Sequence, residues 1–159
     1  MAIRTILAEP DELLRKSAKE VKAFNDHIKE ILNDMAETMY DSDGVGIAAP
    51  QVGILRRMFI VDIGEGPVEF INPEIIEKSE ETENGMEGCL SVPGKFGWVE
   101  RPTKIRIRAF DRNGDPFELE AEDFFARAIQ HEYDHLDGTL YIDIMERFLT
   151  DKELEEMED

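Results

Sequence analysis

The stretch His131-Glu132-Tyr133-Asp134-His135 lies near the end of a segment, residues 123–137, whose acidic start and following glycine predict a helix. Residues four apart share a helical face, so His131 and His135 can reach one ion from the same side. Glu132, one step round the helix, is close enough to contact a water on that ion without being its ligand. The chain has three histidines in all, so two ordinary histidines on a polar face are the weaker interpretation. The spacing predicts a metal site.

Two histidines leave a four-coordinate site incomplete, and the missing ligand decides the class of site. Metzincin proteases use a third histidine, and this chain has Tyr141 at that position. A protease with a downstream acidic ligand would use Glu146, Glu153 or Glu155. These residues lie in or near an acidic tail, where an exposed helix is the simpler expectation.

Cys89 is the remaining candidate for the third ligand, and it is the only cysteine of the chain. A lone cysteine is often a small buried apolar residue, but the flanking glycine and polar turn of Cys89 favour a thiolate brought to an ion. Two histidines, a cysteine and an open position are typical of a catalytic site. A HExxH endopeptidase and a binding module with a structural metal remain the alternatives.

Small residues are dense in segment 44–53, which reads GVGIAAPQVG. It has no lysine and no GK[ST] pattern, so it is not a phosphate-binding loop. On its own the composition favours a tight, closely packed connection. Gln51 is the exception, because its side-chain amide is a neutral donor that can face a polarised carbonyl.

Hydrophobic periodicity predicts helices and short strands along the chain. Apolar residues recur at helical spacing over 25–40, with Asn25 as the N-cap, and Thr150 and Glu153 have capping-box spacing at the start of a later helix. Strands are predicted at 58–63, 68–72, 105–110 and 117–121, with turn signals at 64–67 and 111–114. These turns would fold neighbouring strands antiparallel. The prediction is an α+β fold, a single domain over 1–159 with antiparallel β-sheets packed around the central HExxH helix and a short acidic tail at about 148–159.

The formal net charge is 18 − 37 = −19. This charge argues against a general binder of DNA, of other nucleic acids or of anionic membranes, because lysine and arginine drive phosphate affinity. A single cysteine excludes an intrachain disulfide and indicates a reducing compartment. No apolar run approaches the ~20 residues that span a bilayer, and the start has no secretory signal pattern. We therefore expect a cytoplasmic protein with no membrane partner.

Three motifs, GIAAPQ at 46–51, EGCLS at 87–91 and QHEYDH at 130–135, occur in this order. Together they resemble the three motifs of peptide deformylase, and the resemblance extends from about residue 10 to about residue 144. It implies an α+β domain with the metal-binding helix against antiparallel sheets. It also implies that N-formylmethionyl nascent peptides are the partners and that the N-formyl group is removed as formate.

The resemblance assigns metal binding to Cys89, His131 and His135. Glu132 would take a proton from the water on the ion and later protonate the departing amine. The formyl oxygen would be met by the ion, the Gln51 amide and the backbone N–H of Leu90. The ion is one divalent metal, natively Fe(II) by resemblance, and Zn, Ni or Co also suit a thiolate with two imidazoles.

Substrate binding is likewise assigned by resemblance. Gly46, with Val45 beside it, would align the substrate backbone through main-chain atoms. Phe124 and Ala128 suit an apolar cavity for the methionine side chain, whereas Arg127 departs from that pattern. Because an unpaired buried guanidinium costs several kcal/mol, we expect Arg127 at the rim with its stem packed and its head in water.

Ribosome contact is predicted to be weak at most. Some deformylases carry a longer basic C-terminal helix associated with ribosome docking, and the acidic tail of this chain does not match it. The most concentrated positive cluster consists of Arg101, Lys104, Arg106 and Arg108. Arg106 and Arg108 lie on the predicted strand 105–110, and Lys104 directly precedes it, with alternate faces of the strand exposed.

Overall fold

The structure, a computed structural model, describes residues 2–158, in which four α-helices accompany eight β-strands. The helices are α1 (Asp26–Asp41), α2 (Asp123–His135), α3 (Tyr141–Ile144) and α4 (Asp151–Glu158). The strands are β1 (Gly46–Ala48), β2 (Met58–Val61), β3 (Val68–Lys78), β4 (Thr82–Cys89), β5 (Val92–Pro102), β6 (Lys104–Phe110), β7 (Pro116–Glu122) and β8 (Arg147–Phe148).

The strands form a five-stranded sheet in the order β1-β2-β3-β6-β7 and a three-stranded sheet in the order β4-β5-β8. Every neighbouring pair of these strands is antiparallel. The turns at 64–67 and 111–114 join β2 to β3 and β6 to β7, as their sequences predict. The predicted α+β fold with antiparallel sheets is confirmed.

Helix α2 packs against strands of both sheets, which makes it the central element. Its apolar face places Ala126 and Ile129, both fully buried, against Phe59, Phe70 and neighbouring residues of the larger sheet. The rings of Phe59 and Phe70 stack with centroids 4.8 Å apart. Because each fully buried isoleucine or phenylalanine side chain contributes about 1.5–3 kcal/mol, this packing fixes the helix rotation and so the direction of its polar face.

Helix α1 begins as predicted. The Asn25 side chain accepts a hydrogen bond of 3.1 Å from the backbone N–H of Ile28, which is the N-cap contact. The apolar stripe of the helix, Ile28, Ile31, Leu32, Met35 and Met39, is buried against the start of the larger sheet. The chain then turns at 42–45 and enters β1 alongside α2.

The fold differs from the sequence prediction at several elements, and β1, α3 and β8 are among those not predicted. The β4–β5 hairpin was not predicted, and it places Cys89 at the end of a strand, next to a register shift at Gly88. The strand prediction at 68–72 was too short, because β3 continues to Lys78. Glycines and exposed polar side chains interrupt the apolar alternation in β4, whereas Asn72, Pro73 and charged side chains interrupt it in β3, and this removes the usual strand signal.

The predicted positive cluster is not an exposed basic surface. Arg101 is buried, so its place in that cluster was wrong. The remaining cations lie opposite carboxylates of neighbouring strands: Lys104 with Glu122 at 3.6 Å, Arg106 with Glu77 at 3.9 Å and Glu120 at 3.8 Å, and Arg108 with Glu74 at 3.2 Å. Cross-strand pairing therefore neutralises much of this charge.

Candidate active site

Helix α2 and the end of β4 bring three metal-binding side chains together. The donor atoms of Cys89, His131 and His135 all lie within 4.8 Å of one another. Cys89 Sγ is 3.4 Å from His135 Nε2, and the two imidazole centroids are 5.3 Å apart. The histidines meet on one face because they are four residues apart on the helix, as predicted.

The chemistry and spacing of these donors fit a transition-metal ion. Metal–ligand bonds of about 2.0–2.3 Å put two tetrahedral ligands roughly 3.5 Å apart, and the distance between Cys89 Sγ and His135 Nε2 is close to this value. Burial and the nearby charge of His131 hold the pKa of His135 well below its ordinary value. In spite of its burial, Cys89 and the Glu87 carboxylate raise the pKa of His131, so a metal ion at this site would displace a proton from that ring.

The alternative acidic ligands of an endopeptidase lie elsewhere. Glu153 binds Arg147 and the indole N–H of Trp98, and Glu146 lies 3.4 Å from the Asn84 amide. Over residues 2–158, the cysteine and two histidines are the one group of three metal-binding side chains within reach of each other.

A buried carboxylate, Glu87, orients one of the histidines. Its Oε1 accepts a hydrogen bond of 2.8 Å from His131 Nδ1, while Arg101 donates to both carboxylate oxygens at 2.5 and 2.9 Å. Burial alone would raise the pKa of Glu87, but the hydrogen bonds from Arg101 and His131 lower it to about 2. An ionised partner behind a histidine fixes its tautomer and ring orientation.

Sequence reasoning missed this pair. Glu87 lies two residues before Cys89, and side chains two apart share one face of a strand. Its place inside the EGCLS motif was therefore a usable signal, but only with the strand β4 recognised. Arg101 offered no such signal.

Glu132 lies beside the metal-binding cluster in a space kept clear by a glycine. Its side chain is 5% exposed, and burial raises its pKa to about 7. A Cβ on Gly46 would lie 2.5 Å from Glu132 Oε2, closer than real contacts allow. Glycine at position 46 thus lets the carboxylate approach β1, and a pKa near neutrality suits a group that both takes and gives protons.

A cavity of about 560 Å³ opens beside the cluster. Its walls include nearly every residue that the sequence analysis selected, namely Val45, Gly46, Gln51, Cys89, Leu90, Phe124, Ala128, His131 and Glu132. His135 is the exception and is buried behind the others. Phe124 and Val45 are exposed at the mouth, whereas Ala128 is buried deeper in the wall.

Gln51 is held with its amide nitrogen toward the metal-binding cluster. The nitrogen donates to Ser91 Oγ at 3.1 Å and to Cys89 Sγ at 3.5 Å. The amide oxygen accepts a hydrogen bond of 2.9 Å from the backbone N–H of Ala48. These three contacts fix the orientation of the amide group.

Arg127 lines the cavity, but the prediction that its charged head lies in water was wrong. Its side chain is 13% exposed, and its guanidinium donates to Glu87 Oε2 at 2.7 Å and to the carbonyl oxygens of Val99 and Glu83 at 2.9 and 2.8 Å. These protein acceptors replace the water that the rim placement assumed, so burial of the charge does not leave it unpaired.

The family model described as polypeptide deformylase matches residues 3–150. The chain belongs to this family. It is 56% identical over 155 residues to a peptide deformylase of Caldanaerobacter subterraneus subsp. tengcongensis, covering 98% of this chain and 97% of the relative. It is 48% identical over 160 residues to peptide deformylase 1 of Bacillus subtilis, covering 99% of each.

Solved structures agree with the sequence comparison. The crystal structure of peptide deformylase from Thermotoga maritima superposes with a TM-score of 0.89 at 48% identity, covering 90% of this chain and 97% of that one. The enzyme from Ehrlichia chaffeensis in complex with actinonin also gives a TM-score of 0.89, at 35% identity, with coverage of 96% and 91%.

The chain is accordingly a metal-dependent hydrolase that removes the N-formyl group from the N-terminal methionine of newly synthesised proteins and releases formate, as the resemblance of its motifs implies. In the part of the chain that the structure describes, no helix is both long and apolar enough to cross a bilayer.

Proposed function

We propose that the reaction takes place in the cavity beside α2, with Cys89, His131 and His135 as the metal ligands and Glu132 as the group that moves protons. The observation that carries this assignment is the cluster of three donor atoms within 4.8 Å of one another, next to a buried carboxylate. We infer further that residues 1–159 form one catalytic domain and that the acidic tail at about 148–159 takes no part in the chemistry.

The metal contributes Lewis acidity: when bound, a divalent ion lowers the pKa of water from ~15.7 to ~7 and polarises a carbonyl oxygen. A thiolate with two imidazoles is compatible with Fe(II), Zn, Ni and Co. Among these we propose Fe(II) as the native ion, on the strength of the family resemblance. Glu87 would hold the His131 ring for this task through the hydrogen bond to Nδ1.

Glu132 would accept the proton of the attacking water at its carboxylate. The same proton would pass to the amine nitrogen as the carbon–nitrogen bond of the formamide breaks, which leaves formate and a free amine. The position of Glu132 against Gly46, at the cavity wall, supports this role.

Two donors would stabilise the negative charge that develops on the formyl oxygen. These are the side-chain amide of Gln51 and the backbone N–H of Leu90, which both belong to the cavity wall. The amide nitrogen of Gln51 already points at the metal-binding cluster. Each such donor is typically worth ~10²–10³ in rate.

The substrate backbone would pair with β1. This strand forms an edge of the five-stranded sheet, so over residues 2–158 one side of Gly46, which directly follows Val45, pairs with no strand. An extended peptide can add to such an edge through main-chain hydrogen bonds. Phe124 and Ala128 would then form the apolar wall that receives the methionine side chain.

The direct test is formate release from formyl-Met peptides by anaerobically purified protein, with metal analysis of the same sample. We expect about one divalent ion per chain and loss of turnover on chelation. Turnover that persists after complete metal removal would contradict the proposal, and so would peptide-bond cleavage without formate release.

We also propose that the protein works in the cytoplasm, where a reducing environment keeps the Cys89 thiolate available as a ligand. Its contact with ribosomes is proposed to be weak at most, because the tail is acidic and the cations of β6 face carboxylates.

A further inference from the structure

Arg127 connects α2 to both strands of the β4–β5 hairpin. It lies on α2 one turn before His131, so both side chains leave the same region of the helix. One guanidinium donates to the Glu83 carbonyl on β4, to the Val99 carbonyl on β5 and to the Glu87 carboxylate. The planar guanidinium carries five N–H donors, so one arginine can donate to three acceptors at once.

The guanidinium lies against the backbone of β4 at Gly85. A Cβ on Gly85 would lie 2.7 Å from Cζ and Nη2 of Arg127 and 2.9 Å from its Nε. The guanidinium therefore packs directly on the main chain of β4, and only glycine at position 85 leaves room for it. Position 85 and position 127 form one contact, although they are far apart in sequence.

The hairpin and the helix each supply part of the metal-binding cluster. Cys89 is the last residue of β4, whereas His131 and His135 belong to α2. Met86 and Glu87 line the substrate cavity, and they lie between Gly85 and Cys89 on β4. A contact that sets the position of β4 against α2 therefore acts on the thiolate–imidazole distance and on the cavity width together.

Neutralising the charge of Glu87 does not explain the contacts of Arg127. Arg101 already donates to both oxygens of Glu87, so that carboxylate has a cationic partner without Arg127. The two bonds that only Arg127 makes go to neutral backbone carbonyls. Its distinctive contribution is geometric.

We propose that Arg127 is a positioning residue that holds the β4–β5 hairpin against α2, and thereby sets both metal retention and selection of the substrate's first side chain. The proposal rests on the assignment of Cys89, His131 and His135 as ligands made above. Although Arg127 lines the substrate cavity, its guanidinium hydrogen bonds go to the β4–β5 hairpin, so its role is to position that hairpin.

The test compares Arg127→Met, Arg127→Lys and Gly85→Ala with wild-type protein loaded with Ni. Two quantities are measured: the rate at which a chelator removes the metal, and the ratio of kcat/KM for formyl-Met and formyl-Ala peptides. We expect Arg127→Met and Gly85→Ala to lose metal about tenfold faster or more, and the preference for formyl-Met to fall several-fold. Lysine keeps the positive charge but lacks the planar set of guanidinium donors, so Arg127→Lys should resemble Arg127→Met.

Arg57→Met is the matched control. Arg57 is a partly buried arginine that donates to the Leu136 carbonyl and the Asp137 carboxylate, beyond the end of α2 and outside the cavity. Its loss should lower Tm without changing metal release or substrate preference. If Arg127→Met fails to fold, Gly85→Ala gives the same comparison through the other side of the contact.

Two results would overturn the proposal. In one, the Arg127 and Gly85 variants change only Tm, as Arg57→Met should. In the other, Arg127→Lys behaves as wild type, so that charge alone suffices. Failure of the ligand assignment would look different, because wild-type protein itself would then bind no metal or release no formate.

Discussion

Gly46 and Glu132 share a space that admits no additional atom, since a Cβ at position 46 would lie 2.5 Å from Glu132 Oε2. We predict that Gly46→Ala displaces the carboxylate and lowers turnover by about 10²-fold, the typical cost of a misplacement near 1 Å. Metal content should stay unchanged, because the three atoms nearest to that Cβ all belong to Glu132, which is not a ligand. Formate release and metal analysis on the same sample check this, and a fully active variant would show that Glu132 need not occupy its position.

Glu132→Gln separates proton transfer from metal binding. The amide keeps the size of the side chain and its hydrogen bonding but cannot accept the proton, so we expect the metal to remain and turnover to fall by at least ~10². Steady-state formate release measures the effect. Activity within a few-fold of wild type would reduce Glu132 to a supporting group and refute the proposed proton transfer.

Cys89→Ala should affect metal binding as well as turnover. It removes one of three protein ligands, so we predict that metal occupancy and activity fall together. Elemental analysis after dialysis gives the occupancy. A variant with full metal and full turnover would instead favour an endopeptidase-like site that does not use the cysteine.

The residues that could be predicted from the sequence are those whose chemistry depends on rare residue types at short spacing. The two histidines and Glu132 lie within five positions, and Cys89 is unique in the chain. Glu87, Arg101 and Arg127 were missed or misplaced because their partners are distant: Arg127 contacts positions 28 to 44 residues away. Common charged residues give no sequence signal for such contacts.

At the scale of elements, helices α1, α2 and α4 and the β2–β3 and β6–β7 turns could be predicted because local rules govern them. Asn25 caps α1. At the start of α4, the backbone N–H of Thr150 donates to the Glu153 carboxylate at 2.9 Å, and the backbone N–H of Glu153 donates to the Thr150 hydroxyl at 3.2 Å. The β4–β5 hairpin could not be predicted in this way. Most side chains of β4 are exposed, so its strand pairing is set by the partner strand rather than by its own apolar pattern.

The start of α4 gives a prediction about pH. A hydrogen bond from Arg147, with further ones from Thr150 and Trp98, lowers the pKa of Glu153 from 4.5 to about 2. A lowered carboxyl pKa stabilises the folded state above the unfolded value, and this contribution is lost as pH falls from about 4.5 toward 2. The contacts between α4, Arg147 and Trp98 should therefore loosen over that range.

Trp98 reports this change directly, because it is the single tryptophan and its indole N–H donates to Glu153 at 3.1 Å. We predict a shift in tryptophan fluorescence as pH falls below about 4.5. In Glu153→Gln the neutral spectrum should already be shifted, and the acid transition should be reduced. An identical transition in both proteins would assign it to other carboxylates.

At the scale of the whole molecule, charge dominates the encounter with large anionic partners. The net charge is −19, and residues 150–159 carry six acidic side chains and one lysine. The cations of β6 face carboxylates of β3 and β7, so they present little unpaired positive charge. Screening over ~8 Å at physiological salt confines any remaining attraction to a small area.

We therefore predict that this deformylase meets nascent chains mainly by diffusion and binds ribosomes weakly or not at all at ~0.15 M salt. Co-sedimentation with ribosomes over a range of salt concentrations measures this. Tight binding that survives ~0.15 M salt and is lost on deletion of residues 148–159 would show that the acidic tail docks in spite of its charge. Binding that is lost when Arg106 and Arg108 are replaced by Gln would instead locate the contact on β6, and would mean that their carboxylate partners release them on the ribosome surface.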